Sequence, residues 1–141
     1  MAFQEKSAWI MVVALLLGGA FYLNLVSSFS AAIGTLAPPL LPTVIVYTII
    51  LIVVAVIGHI LIGIMTPREA NEPLDERERR IFSKASSFSG YVLGLGVIVS
   101  LGHYLILQDG DLLFYSVFAS LMIAQIAEYL CRIALYRFGA L

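Results

Sequence analysis

The chain has 141 residues and a formal net charge of −1; 61% of its residues are hydrophobic and only 12% are charged. Ordinary soluble domains have about 25% charged residues, and a mean hydropathy of +1.00 implies more apolar surface than a soluble chain of this length buries. The composition therefore excludes a soluble globular domain and indicates one integral membrane domain.

Four apolar runs reach the roughly 20 residues that cross a hydrocarbon core as helix. They predict transmembrane helices at about 7–29, 43–65, 86–107 and 112–135. Because backbone groups in lipid must be hydrogen-bonded within the chain, we expect helices rather than open strands. The first run exceeds the apolar region of about 7–15 residues in a signal peptide, so we interpret it as retained. The predicted fold is an all-α, integral membrane four-helix bundle, a single transmembrane domain over residues 1–141.

The connections between the spans carry clear turn signals. Pro38, Pro39 and Pro42 are expected to end the first helix and to prepare the start of the second. Between the third and fourth spans lies "QDGD", a tight turn in which Gly110 is expected to reverse the chain. The third and fourth spans should therefore form an antiparallel hairpin.

The distribution of positive charge predicts the topology. Lys6 precedes the first span, and Arg132 and Arg137 lie at the end of the fourth span and after it. The other basic residues lie between the second and third spans: Arg68, Arg77, Arg79, Arg80 and Lys84. The other two connections contain none. The positive-inside rule then predicts that both termini and the charged segment 66–85 are cytoplasmic. We expect a multi-pass protein of the bacterial inner (cytoplasmic) membrane.

The charged segment contains six consecutive ionisable residues, which we identify as a candidate docking element: Asp75, Glu76, Arg77, Glu78, Arg79 and Arg80. Favourable i,i+4 pairs, each worth roughly 0.2–0.5 kcal/mol, predict one helix from Leu74 into the third span, with Asn71 as a candidate cap. The acids nearly cancel the arginines, which disfavours anionic lipid and direct nucleic-acid binding. A balanced, rigid helix suits recognition by another protein, and its alternative is a solvated face that sets topology.

Polar residues inside the membrane are candidate functional groups because each is costly there. Those of this chain are Asn24, His59, His103, Gln125, Glu128 and Arg132. A helical rise of ~1.5 Å per residue places them in two layers, one with His59 and Glu128, the other with Asn24 and His103.

Two interpretations of these layers remain open. His59 and Glu128 form either a titrating pair, as in a proton-coupled transporter, or structural contacts, with Glu128 bonded to Arg132 one turn away. The histidines differ in depth by ~15 Å, so they cannot share a metal or a haem. The single cysteine, Cys131, makes no intramolecular disulfide. We expect no metal and no cofactor.

Small residues on the third span predict close helix packing. Ser86, Gly90 and Gly94 are spaced at i, i+4 and i+8, and a second stripe contains Ser89, Gly96, Ser100 and His103. Two such faces on one helix predict a central position for the third span. One face also provides a contact for a homo-oligomer.

The segment "LDERERRIFSKASSFSGYVL" resembles a family of small, uncharacterised bacterial four-span membrane proteins. Proteins of that family have an Asp-Glu-Arg run, then an aliphatic residue, then small residues at the start of the third span. The matching residues in this chain are Asp75, Glu76, Arg77, Ile81, Ala85 and Gly90. The ending "YLCRIALYRFG" is similar to the basic close of that family. The likeness covers Leu74 to Gly139, about half of the chain. Members lie beside small helix-turn-helix regulators, which implies a membrane protein that holds or signals to such a partner.

Four spans in so short a chain also resemble small multidrug exporters. Those carry an essential glutamate in the first span, where this chain has Asn24. The sequence therefore favours a non-enzymatic regulatory or scaffolding protein that docks a cytoplasmic or membrane partner. The alternatives are a small proton-coupled transporter and an accessory subunit of a larger membrane complex.

Overall fold

The structure is a computed structural model that describes residues 3–67 and 73–139. This part of the chain forms four helices, α1 (Phe3–Ile33), α2 (Leu41–Met65), α3 (Glu76–Leu107) and α4 (Gly110–Phe138). Each helix is long and apolar enough to cross a membrane. The predicted all-α fold with four helices of membrane-spanning length is therefore confirmed, and all four helices extend beyond one or both ends of the predicted spans. The charged segment from Glu76 is continuous with the third span, as predicted.

The helices contact one another in the order α2, α1, α4, α3. Helices α1 and α4 are therefore the inner pair, and α3 packs mainly against α4. The prediction that the third span is central is wrong. Its outward residues Ser86, Gly90 and Gly94 are exposed, so the helix has one protein-facing side instead of two.

Helix ends follow local chemistry. Pro42 lies in the first turn of α2, where its missing N–H costs no hydrogen bond. Asp109 accepts hydrogen bonds from the amides of Asp111 and Leu112, both at 3.0 Å, and so caps α4. The reversal before α4 occurs at Gln108, whose φ is 55°. Gly110 was predicted for this role, but it is the first residue of α4, and Asp109 is the N-cap of that helix.

Aromatic side chains hold the inner helices to α2 at the end away from the termini. The rings of Tyr22, Tyr47 and Phe118 come from α1, α2 and α4, and their centroids are 4.9–5.5 Å apart. The Tyr115 hydroxyl donates to the Ala37 carbonyl at 2.8 Å and ties the α1–α2 connection to α4. Tilted ring pairs contribute about 0.5–1.5 kcal/mol each beyond burial.

Glycines allow the helices to approach closely at three positions in addition to this cluster. A Cβ built at Gly58 would lie 2.6 Å from Ile10 Cγ2, at Gly19 2.9 Å from Met122 Cε, and at Gly96 2.5 Å from Ser120 Oγ. One such glycine therefore lies at each main helix contact: α1–α2, α1–α4 and α3–α4. Of the four residues predicted for helix packing, Gly96 is the one in this role; the other three are exposed in the single chain.

Candidate docking surface

The charged start of α3 is ordered by its own acidic side chains. Asp75 accepts a hydrogen bond from the Glu76 amide at 2.6 Å, while the Glu78 carboxylate accepts one from the Asp75 amide at 3.3 Å. The two form a reciprocal capping box, which typically stabilises a helix by about 1 kcal/mol. The predicted cap, Asn71, lies outside the described residues.

One face of this segment packs firmly against α4. Ile81 and Ala85 are fully buried, and Ser89 Oγ donates to the Ala124 carbonyl at 2.9 Å. The Tyr136 hydroxyl donates to Glu78 Oε1 at 3.4 Å. These contacts hold the first three turns of α3 in a fixed orientation relative to the bundle.

The opposite face presents arginines. Arg77 and Arg79 are exposed, and Arg80 makes only a long ion pair with Glu76, 3.9 Å apart, with both side chains more than three-quarters exposed. Asp75 and Glu76 are exposed and Glu78 is half-buried, so three exposed arginines stand beside two exposed carboxylates. The sequence predicted nearly balanced charges for the segment Asp75–Arg80, whereas its outward face has more basic than acidic side chains.

A half-buried ion pair lies on α4 beside the start of α3. Arg132 bonds to Glu128 on α4, and their side chains are only 19% and 14% exposed. The guanidinium also lies over the rings of Phe82 and Tyr129, at 4.1 and 5.1 Å from their centroids. Arg132 thus links α3 to α4 through a cation–π contact as well as satisfying Glu128.

A second ion pair, which sequence reasoning missed, joins the two ends of the chain. Arg137 Nε donates to Glu5 Oε1 at 3.0 Å, and Glu5 is only 7% exposed. The Arg137 guanidinium also lies 5.6 Å from the ring centroid of Trp9. The sequence did contain a signal for this pair. The predicted topology places both termini on one side of the membrane, which brings Glu5, the acid before the first span, near Arg137, the last basic residue. The contact places the start of α1 and the end of α4 at the same end of the bundle.

His59 does not meet Glu128. Its Nε2 lies 2.6 Å from Ser7 Oγ on α1, and its Nδ1 lies 2.6 Å from the Ala55 carbonyl oxygen. Because a carbonyl only accepts, we assign the proton to Nδ1, so that Nε2 accepts from the Ser7 hydroxyl. Helix α1 lies between α2 and α4 at this depth, so the predicted His59–Glu128 layer is not assembled. Two residues at the same depth can lie on helices that are not neighbours.

The Ser7–His59 contact should contribute modestly to stability. We expect Ser7→Ala to lower the free energy of unfolding by about 0.6 kcal/mol, the mean for interhelical hydrogen bonds in a membrane. Ser27→Ala, which removes a hydroxyl bonded only to the Asn24 carbonyl on its own helix, is the matched control. Chemical unfolding in mixed micelles measures both. A loss for Ser7→Ala no greater than that for Ser27→Ala would contradict a stabilising contact between Ser7 and His59.

The second predicted layer is not assembled either. Asn24 on α1 and His103 on α3 are both exposed, and these two helices are separated by α4. Gln125 is half-buried on α4. Across residues 3–67 and 73–139, no three His, Cys, Asp or Glu side chains are grouped so that they could hold a metal ion.

A groove of about 520 Å³ is lined by residues of α1 and α4 and by Leu36. Its lining includes Leu15, Gly19, Phe118 and Met122 and contains no carboxylate, amine or imidazole. This surface is suited to hydrocarbon chains of the membrane and brings no reactive groups together.

No protein-family model matches the chain, and no curated protein or solved structure gives a significant match. The resemblance to the small four-span family stays a prediction.

Proposed function

We propose that this chain is a non-enzymatic regulatory or scaffolding protein of the inner membrane that docks a partner through the start of α3. One observation carries the proposal. A rigid helical segment is held on α4 by Ile81, Ala85 and Glu78, while its arginines are left exposed. A surface that is already ordered loses little conformational entropy on binding, and exposed guanidinium groups bind carboxylates in a directed way.

The proposed orientation places both termini and this segment in the cytoplasm. The ion pair between Glu5 and Arg137 supports a common side for the termini, and the positive-inside rule supports the cytoplasmic assignment. A cytoplasmic regulator is then the favoured partner class, as the family resemblance implies. A larger membrane complex is the second class.

We further propose that copies of the chain associate through the exposed Ser86, Gly90 and Gly94 face.

The test is recovery of a partner from membranes in mild detergent, read by mass spectrometry. We expect the swap Glu76→Arg/Arg80→Glu to lower recovery about tenfold or more, because like charges brought together at an interface cost several kcal/mol. The swap keeps composition, net charge and the capping residues Asp75 and Glu78. Glu76→Asp/Arg80→Lys keeps the sign of each charge and is the matched control.

The outcomes distinguish the candidates. A soluble protein lost only in the swap variant supports docking of a regulator at this helix. Co-migration of both variants with a much heavier species on a native gel supports an accessory subunit instead. Equal recovery of every partner with both variants would rule out the charge pattern as a docking element and leave the segment as a topology signal.

A further inference from the structure

At the end of the bundle that contains the termini, exposed basic side chains outnumber exposed acidic ones among the described residues. Three of the acids point inward: Glu5 is 7% exposed, the Glu128 side chain 14%, and Glu78 is half-buried against Tyr136. The basic residues Arg79, Arg80, Lys84 and Arg137 are exposed on the outside, and Lys6 is half-exposed. Asp75 and Glu76 are exposed at the start of α3, so the outside of this end carries both signs of charge with an excess of basic residues.

The outward cations lie at the depth where lipid headgroups begin. Trp9, Phe82, Tyr129 and Tyr136 lie at this end, and aromatic residues of this kind concentrate at the membrane–water interface. Arg79 and Arg80 precede Phe82 on α3 by about 3–4.5 Å along the helix axis. Lys6 precedes Trp9 on α1 by a similar distance, and Arg137 is itself in contact with Trp9.

We propose that Lys6, Arg79, Arg80, Lys84 and Arg137, here called the cation ring, bind the phosphate groups of anionic phospholipids in the leaflet at this end. Clusters of four to eight basic residues beside a transmembrane helix bind anionic lipid. The inward acids are engaged by Arg137, Arg132 and Tyr136, so they compete less with lipid than their number suggests.

The arrangement favours a leaflet over an acidic protein segment. The ring residues come from three helices, α1, α3 and α4, rather than from one segment. A lipid leaflet surrounds the bundle and meets charges on several helices at once, whereas a single peptide segment meets one side. The proposal is independent of partner docking, because it depends on the number of outward charges and not on their order along α3.

Native mass spectrometry of the purified full chain tests the proposal by counting retained phosphatidylglycerol against phosphatidylcholine from equimolar mixed micelles. We expect phosphatidylglycerol to be preferred by the unmodified chain. Arg79→Gln/Lys84→Gln should lower that preference about fivefold for each charge removed, which corresponds to about 1 kcal/mol per basic residue near an anionic surface. The thermal stability of each variant in the same detergent is measured alongside, so that a lost preference is separated from a lost fold.

Arg79→Lys/Lys84→Arg conserves charge and is the matched control, which should retain the wild-type preference. The proposal is overturned if the unmodified chain retains both lipids equally, or if the glutamine variant keeps the full preference. It is also overturned if the control loses as much preference as the glutamine variant, since the preference would then not follow the number of positive charges. The swap Glu76→Arg/Arg80→Glu, which tests docking, should leave the lipid preference largely unchanged, so the two proposals fail separately.

Discussion

Replacing Arg132 by methionine is expected to lower the free energy of unfolding by about 3 kcal/mol, the lower end of the range for breaking a buried ion pair. The substitution keeps an apolar chain of similar length but leaves the Glu128 carboxylate, only 14% exposed, without its partner. It also removes the guanidinium from the ring of Phe82, 4.1 Å away, and with it a direct contact between α3 and α4.

The free energy is measured by unfolding in mixed micelles with a rising fraction of denaturing detergent. The chain has a single tryptophan, and Trp9 lies beside Arg137 at the same end of the bundle, so its fluorescence reports on this region. Arg79→Met, at an exposed position, is the matched control and should change stability by no more than about 0.5 kcal/mol.

The double variant Glu128→Gln/Arg132→Met separates the lost pair from the lost packing. Neutralising Glu128 removes the uncompensated charge, so we expect the double variant to recover much of the stability that Arg132→Met loses. If Arg132→Met proved no more destabilising than Arg79→Met, the ion pair would have no structural role.

The second large effect concerns Gly96 on α3. We expect Gly96→Ile to destabilise the bundle by about 1–3 kcal/mol, the usual cost of overpacking. A Cβ at this position would lie 2.5 Å from Ser120 Oγ and 2.6 Å from Ser120 Cβ, so α3 and α4 would have to separate. Ser89 would then move away from the Ala124 carbonyl to which it donates at 2.9 Å.

Gly94→Ile is the matched control, because a Cβ at Gly94 meets no atom within 4 Å in the single chain. Both substitutions replace glycine by the same residue in the same helix, so the difference between them isolates the contact with α4. Equal unfolding free energies for the two variants would contradict the α3–α4 packing described here.

The same two variants test association between copies. If the face containing Ser86, Gly90 and Gly94 joins two chains, Gly94→Ile should shift the mass in lipid nanodiscs toward the monomer without destabilising the fold. Gly96→Ile should not act through that face. A monomeric mass for the unmodified chain would rule out the proposed oligomer.

The sequence alone determined the features that depend on one segment at a time. Long apolar runs predict spanning helices because lipid offers no hydrogen bonds to a backbone, and all four were found. Pro42 marked the start of α2, and the continuous helix from the charged segment into the third span followed from charge spacing. The height of each polar residue along its helix also follows, because a helix advances about 1.5 Å per residue.

Tertiary structure decided which helices are neighbours, and this determined every polar partner that crosses between helices. His59 and Glu128 lie at similar heights, yet α1 lies between their helices, so His59 bonds to Ser7 on α1. Glu128 bonds to Arg132 within its own helix, which is one of the two alternatives that the sequence had left open. Glu5 is indistinguishable in the sequence from an exposed terminal charge until Arg137 is brought beside it. Small residues predicted close packing on several faces, but only the joint packing of all four helices selects Gly96 over Gly94. Helical periodicity specifies height along an axis and direction around it, whereas the identity of the neighbour depends on the shapes of every helix at once.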